Sequence, residues 1–140
     1  MKTTTIIHGE PNAKGRPRFR QIAGHVSTYT PAKTANYENL VKLEYTQQNP
    51  DVTLTGALQA TVKAYFTIPK SASKKRRVAM LAGEIRCTKK PDCDNLAKTV
   101  LDALNGIAYD DDKQVCSLTV EKWYGLNPRV EVTLEEIASE

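Results

Sequence analysis

Carboxylates are concentrated in two short stretches in the second half of the sequence. The first stretch holds two aspartates and a lysine, and the second holds three successive aspartates: Asp92, Asp94 and Lys98, then Asp110, Asp111 and Asp112. Several carboxylates within a few ångströms of one another repel strongly, and a divalent cation removes that repulsion. Oxygen ligands without histidine or paired cysteine favour Mg²⁺ or Mn²⁺, with Ca²⁺ as an alternative, over zinc. If the two stretches meet in space, we expect a metal site.

Both stretches also have a purely structural interpretation. An aspartate at a helix start satisfies free backbone N–H groups and the helix dipole, and Lys98, one turn beyond Asp94, is placed for an ion pair. One aspartate accounts for a cap, whereas Asp92 and Asp94 together exceed what capping requires. An EF-hand is excluded, because Leu96 and Ala97 occupy positions where that loop needs a ligand and a glycine. On spacing alone, a cap followed by an exposed acidic turn stays open.

Charge is distributed unevenly along the chain. The net charge is +4, but residues 1–90 hold 16 Lys and Arg against 5 Asp and Glu, whereas residues 91–140 hold 4 against 11. A basic first part and an acidic second part within one domain indicate a surface that binds a polyanion beside a site that binds a cation.

Two groups of cations could form the basic surface. Residues 9–24 contain four of them at alternate positions: Lys14, Arg16, Arg18 and Arg20. An extended chain could place the three arginines in one row. A short basic helix over residues 71–82, opened by a serine cap, holds four more: Lys74, Lys75, Arg76 and Arg77. For this helix, a solvated face explains the charges equally well.

The helices and strands that must position these residues can be predicted from hydrophobic periodicity and from turn-forming residues. The predicted order is β-α-β-α-α-β-β, with strands over residues 3–8, 57–68, 115–124 and 129–137 and helices over residues 35–48, 71–82 and 94–105. Thr34 is the expected N-cap of the first helix, and residues 9–24 read as a loop. The last two strands are expected to pair as an antiparallel hairpin. We therefore expect a single α+β or mixed α/β domain over residues 1–140.

The third predicted helix separates the two acidic stretches. Its apolar stripe consists of Leu96, Val100, Leu101 and Leu104, and Asn105-Gly106 is a typical helix end. A helix of this length is roughly 16 Å long. Asp112 can therefore approach Asp92 only if the chain doubles back after the helix, for example as the strand that starts at Val115.

Composition excludes several other classes of protein. The chain contains no apolar run long enough to cross a membrane, and its N-terminus lacks the apolar core of a signal peptide, so we expect a cytoplasmic protein. Three cysteines without paired spacing predict neither a zinc ribbon nor a disulfide scaffold.

Several motifs resemble the RusA family of Holliday junction resolvases, which are small and often prophage-encoded enzymes. The motifs are Lys90-Pro-Asp-Cys-Asp-Asn-Leu-Ala-Lys98, Leu101-Asp-Ala-Leu-Asn-Gly106, Asp111-Asp-Lys-Gln-Val115 and Lys122. Gly15-Arg-Pro-Arg-Phe19 and Tyr29-Thr-Pro31 are similar to the N-terminal signature of one branch of that family. The resemblance covers most of the chain, and the acidic pattern is specific.

The resemblance implies a homodimeric, mixed α/β crossover junction endodeoxyribonuclease that nicks two opposed strands of a four-way junction, using Mg²⁺ or Mn²⁺. It implies that Asp92, Asp94 and Asp112 bind the metal and that Lys98 is functionally important. Asp111 matches a neighbouring acidic position, while Asp110 has no clear counterpart. Lys122 joins the arginines and lysines named above as an expected DNA contact. No membrane and no small-molecule cofactor is implied.

Two other functions remain open from the sequence. One is a non-catalytic nucleic-acid-binding module whose acidic cluster holds a structural cation. The other is a nuclease for flaps or single strands.

Overall fold

The computed structural model describes residues 1–13, 18–22, 25–29 and 32–137, with backbone alone for residues 18–22, 25–29 and 32–35. The elements in chain order are β1 (Lys2–His8), β2 (Arg18–Ile22), β3 (His25–Tyr29), α1 (Ala32–Gln48), β4 (Leu58–Thr67), α2 (Lys74–Leu81), α3 (Cys93–Leu104), a one-turn 3₁₀ helix (Asp112–Gln114), β5 (Val115–Gly125) and β6 (Arg129–Glu136). All seven predicted elements are present in the predicted order, which confirms the mixed α/β class.

Four strands form one mixed sheet in the order β1-β6-β4-β5. β4 lies inside the sheet, antiparallel to β6 and parallel to β5. Its alternate residues are buried under the helices, as the alternation of the sequence predicts: Leu58, Ala60, Val62, Ala64 and Phe66. The opposite face carries polar residues such as Gln59, Thr61 and Lys63 beside Glu131 and Thr133 of β6.

The predicted apolar stripe of α3 packs into the core. Leu96, Val100 and Leu104 are fully buried, and Leu101 packs against the same cluster. From α1, Val41 and Tyr45 complete this layer. None of the described helices has the length and apolar character needed to span a lipid bilayer.

The chain passes from β4 to the parallel strand β5 through α2 and α3, because parallel strands need a crossover connection. After α3 the chain turns back along that helix, and the Tyr109 hydroxyl donates to the Leu101 carbonyl at 2.6 Å. At the other end of α3, Cys93 Sγ lies 4.0 Å from the Val120 carbonyl oxygen. The chain therefore doubles back after α3, but the residue of β5 that faces the start of that helix is Val120 and not Asp112.

Two local predictions at the N-terminal side were wrong. Residues 9–24 are not one loop, because β2 lies within them and pairs antiparallel with β3 in a separate two-stranded sheet. The prolines and glycines around this short strand concealed it in the sequence. The first helix begins at Ala32, so Thr34 lies inside α1 and is not its N-cap.

The last two strands differ from a simple hairpin. β5 and β6 run in opposite directions and are joined by residues 126–128, as predicted, but β4 lies between them and pairs with both. Alternation shows which face of a strand is buried. It does not show which strand is its neighbour, and here that choice is made by the crossover through α2 and α3.

Candidate active site

Helix α3 begins at an aspartate whose side chain does not cap it. Asp92 occupies the N-cap position with extended backbone (φ −71°, ψ 157°), and its carbonyl accepts the first helical hydrogen bond from Leu96 N at 3.0 Å. Its carboxylate, however, accepts no hydrogen bond from the helix. An N-cap side chain normally accepts from the N–H groups of the first turn. Capping therefore does not explain this exposed carboxylate.

Asp94 and Lys98 lie on the first two turns of the same helix and are both exposed. Among the residues that the structure describes, they do not form the ion pair that their spacing favours, since the ion pairs found there join Met1 to Glu136 and Arg129 to Glu131. The charged groups at the start of α3 thus face solvent, where a phosphate or a cation can reach them.

Asp111, by contrast, has a structural task. It is the N-cap of the 3₁₀ helix and forms a complete capping box: its Oδ1 accepts from Lys113 N at 2.9 Å, and its own N–H donates to Gln114 Oε1 at 3.0 Å. The hydrogen bond from Lys113 N is the main reason why the pKa of Asp111 lies below its usual value. One of its two carboxylate oxygens is thereby committed to the protein.

Asp112 lies in a crowded acidic environment. Its pKa is raised, first by desolvation, then by its hydrogen bond with Asp111 and that residue's charge, and then by the charge of Asp102. The same three carboxylates, after burial, raise the pKa of Tyr109. Such crowding of negative charge is the condition that a divalent cation relieves.

Asp102 contributes to the charge environment of Asp112, and the sequence analysis did not single it out. A signal was available, because Asp94, Lys98 and Asp102 follow one another at intervals of four residues and therefore share one face of α3. The charge of Asp102, in the second half of α3, is one of the causes that raise the pKa of Asp112. Neither Asp92 nor Asp94 is among the groups that raise its pKa.

The predicted metal ligands are not gathered around one point. Within residues 1–13, 18–22, 25–29 and 32–137, no three His, Cys, Asp or Glu side chains lie close enough to hold one ion. The residue type is nonetheless the one that Mg²⁺ prefers, because all of these ligands are carboxylates. Asp92 and Asp94 are exposed, and neighbouring negative charges contribute to the raised pKa of Asp112. That Asp92, Asp94, Asp112 and Asp111 bind metal therefore stays a prediction.

The predicted DNA contacts fall into three groups. Lys74, Lys75 and Arg76 are exposed on α2. A serine caps this helix, but the cap is Ser73, which accepts from Arg76 N at 3.3 Å, and the helix begins three residues later than the predicted start at residue 71. Arg77 instead donates to the Pro69 carbonyl at 3.3 Å, and Lys122 Nζ donates to the Lys89 carbonyl. Arg16 lies outside the described residues, as do the side chains of Arg18 and Arg20.

Two further lysines stand directly before the first acidic stretch. Lys89 and Lys90 are exposed and lie within three residues of Asp92. They add positive charge close to the start of α3, which the sequence analysis did not count among the DNA contacts. Their place in the sequence, directly before Pro91 and Asp92, already put them beside the first acidic stretch.

Comparison with known proteins decides the family. The family model of the endodeoxyribonuclease RusA matches residues 8–135. The chain belongs to the RusA family. This match spans both acidic stretches, all of α2 and α3, and the sheet from the last residue of β1 to near the end of β6.

Membership of the RusA family makes DNA the substrate class and phosphodiester cleavage within a DNA strand the reaction class. The chain is also 42% identical over 135 residues to a protein of Bacillus subtilis strain 168 named "Uncharacterized protein YqaN", with 95% of each chain covered. The resemblance that the motifs indicated is thus confirmed at the level of the family.

Proposed function

We propose that this RusA-family protein is a Mg²⁺-dependent, homodimeric endonuclease that resolves four-way DNA junctions by paired nicks. The observation that carries the proposal is the Asp92 carboxylate, which stands at a helix N-cap, is exposed and makes no capping hydrogen bond. Family membership supports the reaction class, and the uncommitted carboxylates at the start of α3 support a cation in that reaction.

Hydrolysis of a phosphodiester needs an activated water, stabilisation of charge on the phosphorus oxygens and stabilisation of the leaving oxygen. A divalent cation held by Asp92, Asp94 and Asp112 supplies all three when bound. Lys98 would donate from its exposed ammonium to a non-bridging phosphate oxygen. The N-terminus of α3 adds the positive end of its dipole on the same side.

Exposed cations that could bind DNA lie on α2 and directly before α3. Lys74, Lys75 and Arg76 on α2, with Lys89 and Lys90 before Asp92, are exposed cations that would contact phosphates without reading bases. Such contacts favour recognition of the shape of the DNA backbone. This mode of binding suits a substrate that is recognised by its branched shape.

A junction with two opposed strands to cut calls for two active sites related by a two-fold axis. A homodimer meets this requirement with one kind of chain. We therefore propose that the active species contains two copies of the protein, with one set of acidic residues in each.

The proposal is tested by cleavage of labelled DNA with and without Mg²⁺. The substrates are a synthetic four-way junction, a linear duplex of the same sequence and a single-strand flap. We expect symmetric nicks in the junction only with Mg²⁺, and little cleavage of the duplex. Preferred cleavage of the flap would show that the protein is a flap nuclease rather than a junction resolvase. Binding without cleavage of any substrate would show that it is a non-catalytic nucleic-acid-binding module.

A further inference from the structure

We infer that Lys122 is a positioning residue that holds the Asp92 segment in place through the Lys89 carbonyl, rather than a DNA contact. The inference rests on the proposed function, because it assigns Asp92 to the metal. Lys122 lies on β5, on the face of the sheet that the helices cover, and its Nζ donates to the carbonyl of Lys89, three residues before Asp92.

The segment between α2 and α3 is attached to one short part of β5. Arg86 Nε donates to the Lys122 carbonyl at 2.8 Å, and its guanidinium lies 3.5 Å from the centre of the Trp123 ring. At the far end of the segment, Cys93 Sγ lies 4.0 Å from the Val120 carbonyl. Three successive contacts along the segment therefore meet β5 between residues 120 and 123.

The start of the segment packs tightly against Trp123 of β5. Gly83 has a φ of +82°, and a Cβ at that position would lie 2.8 Å from Trp123 Cζ3. Further along, Cys87 is buried, and after desolvation it is the next cause of the raised pKa of the Tyr124 hydroxyl on β5. The path of residues 83–93 is thus determined by β5, although the segment has no regular secondary structure of its own before α3.

Lys122 contacts the segment between α2 and α3 through both its backbone and its side chain. Its backbone carbonyl receives Arg86 and its side chain reaches Lys89, so one residue joins the middle of the segment to the part that precedes Asp92. Its ammonium also lies 5.6 Å from the centre of the ring of Phe66, a buried residue of the core. Lys122 is a half-buried residue, and its ammonium is directed towards the Lys89 carbonyl and the Phe66 ring. Lys89 and Lys90, which it supports, are the exposed cations at this place.

Lys122→Met keeps the aliphatic stem and removes the donor. Groups that orient a metal ligand typically change metal affinity by about 10- to 100-fold when removed. We expect Lys122→Met to weaken Mn²⁺ binding by about this factor, measured by electron paramagnetic resonance of free Mn²⁺ without DNA. Junction cleavage should need correspondingly more Mg²⁺ and approach the wild-type rate at saturation. Lys122→Arg, which retains a donor, should restore most of the affinity.

Junction binding distinguishes the two roles of Lys122. If Lys122 positions the segment, the slope of log Kobs against log salt, measured without metal, stays at the wild-type value in Lys122→Met. If Lys122 contacts a phosphate, the slope falls in magnitude by about 0.9 and Mn²⁺ affinity is unchanged. That second result would overturn the inference. Lys63→Met, which removes a cation from the neighbouring strand on the opposite face of the sheet, is the matched control and should leave both measurements unchanged.

Amide hydrogen exchange shows whether Lys122→Met changes only the segment before α3 or unfolds the whole domain. Faster exchange confined to residues 86–95, with β4 still protected, supports the inference. Faster exchange throughout β4 would mean that Lys122→Met unfolds the whole domain, and Mn²⁺ affinity is then compared between the wild type and Lys122→Gln. Wild-type Mn²⁺ affinity in both variants would overturn the inference. Absence of Mn²⁺ binding by the wild-type protein would instead remove the proposed function.

Discussion

Two aspartates occupy N-cap positions in this protein and are used in opposite ways. Asp111 opens the 3₁₀ helix, and its carboxylate accepts a hydrogen bond from Lys113 N within a capping box. Asp92 opens α3, and its carboxylate accepts none from the helix. The residue type and the position are the same, so neither identifies a functional aspartate. What distinguishes Asp92 is that the fold does not use its side chain.

The two helices differ in how much they depend on a cap. Loss of an N-cap typically costs about 1 kcal/mol, whereas burial of one Leu or Val side chain contributes about 1.5–3 kcal/mol. α3 buries six residues, and so tolerates an unused cap, whereas the 3₁₀ helix buries none. A helix held by its apolar face can therefore leave its first aspartate available for chemistry.

The largest effect in this comparison is expected from Asp92→Asn, which keeps the shape of the side chain and removes its charge. Electrostatic stabilisation by a bound metal is worth several kcal/mol, so we expect junction cleavage to fall by about 10³-fold or more. Junction binding should be retained or tightened. Asp110→Asn is the matched control, with the same charge change in an exposed residue of the second stretch, and should cleave normally. Full cleavage by Asp92→Asn would end the assignment of Asp92.

Lys98→Met is expected to have the next largest effect. Removal of one preorganised donor to a developing charge typically lowers kcat by about 10²- to 10³-fold. Because Lys98 is exposed on α3, the variant should fold as the wild type does. Single-turnover cleavage at saturating Mg²⁺ measures the rate. A reduced affinity for the junction with an unchanged rate would make Lys98 a binding residue only.

The basic residues of α2 should affect binding without affecting the chemical step. Lys74→Ala combined with Lys75→Ala removes two exposed cations, and the slope of log Kobs against log salt should fall in magnitude by about 1.8. Lys2→Ala, an exposed lysine on β1 at the other edge of the sheet, provides the control. An unchanged slope in the double variant would place α2 away from the DNA.

The smallest effect concerns stability, and it compares the two caps directly. Asp111→Ala removes the capping box and should lower the free energy of unfolding by about 1 kcal/mol. Asp92→Ala removes a carboxylate that makes no capping bond and should change it by less than about 0.5 kcal/mol. Urea unfolding of both variants in the absence of divalent cations measures the difference. Equal losses would show that Asp92 also caps its helix in solution.

The sequence predicted those parts of the fold that depend on local periodicity. The alternation in β4 and the apolar stripe of α3 gave both elements within one or two residues, because burial of one face imposes the period. The partner of each strand was not predictable in this way. β4 separates β5 from β6, and β2 lies among prolines and glycines that favour a loop.

For the site, residue type and spacing identified the acidic stretches and the lysine of α3. They could not show whether an aspartate caps its helix, since Asp92 and Asp111 both precede a helical turn. They also could not show that Lys122 and Arg77 donate to backbone carbonyls, because those partners come from other parts of the fold. Charge and spacing alone therefore gave no account of these backbone partners or of the effect of Asp102 on Asp112.

Metal-induced thermal stabilisation tests the central claim most directly, because it requires neither DNA nor catalysis. A ligand at 100 times its Kd stabilises the folded state by about 2.7 kcal/mol, which corresponds to about 10 °C in Tm for a domain of this size. We expect Mn²⁺ to raise the Tm of the wild type and of Asp51→Asn, an exposed aspartate between α1 and β4, but to leave the Tm of Asp92→Asn almost unchanged. An equal rise in Asp92→Asn would show that the unused cap of α3 does not bind the metal.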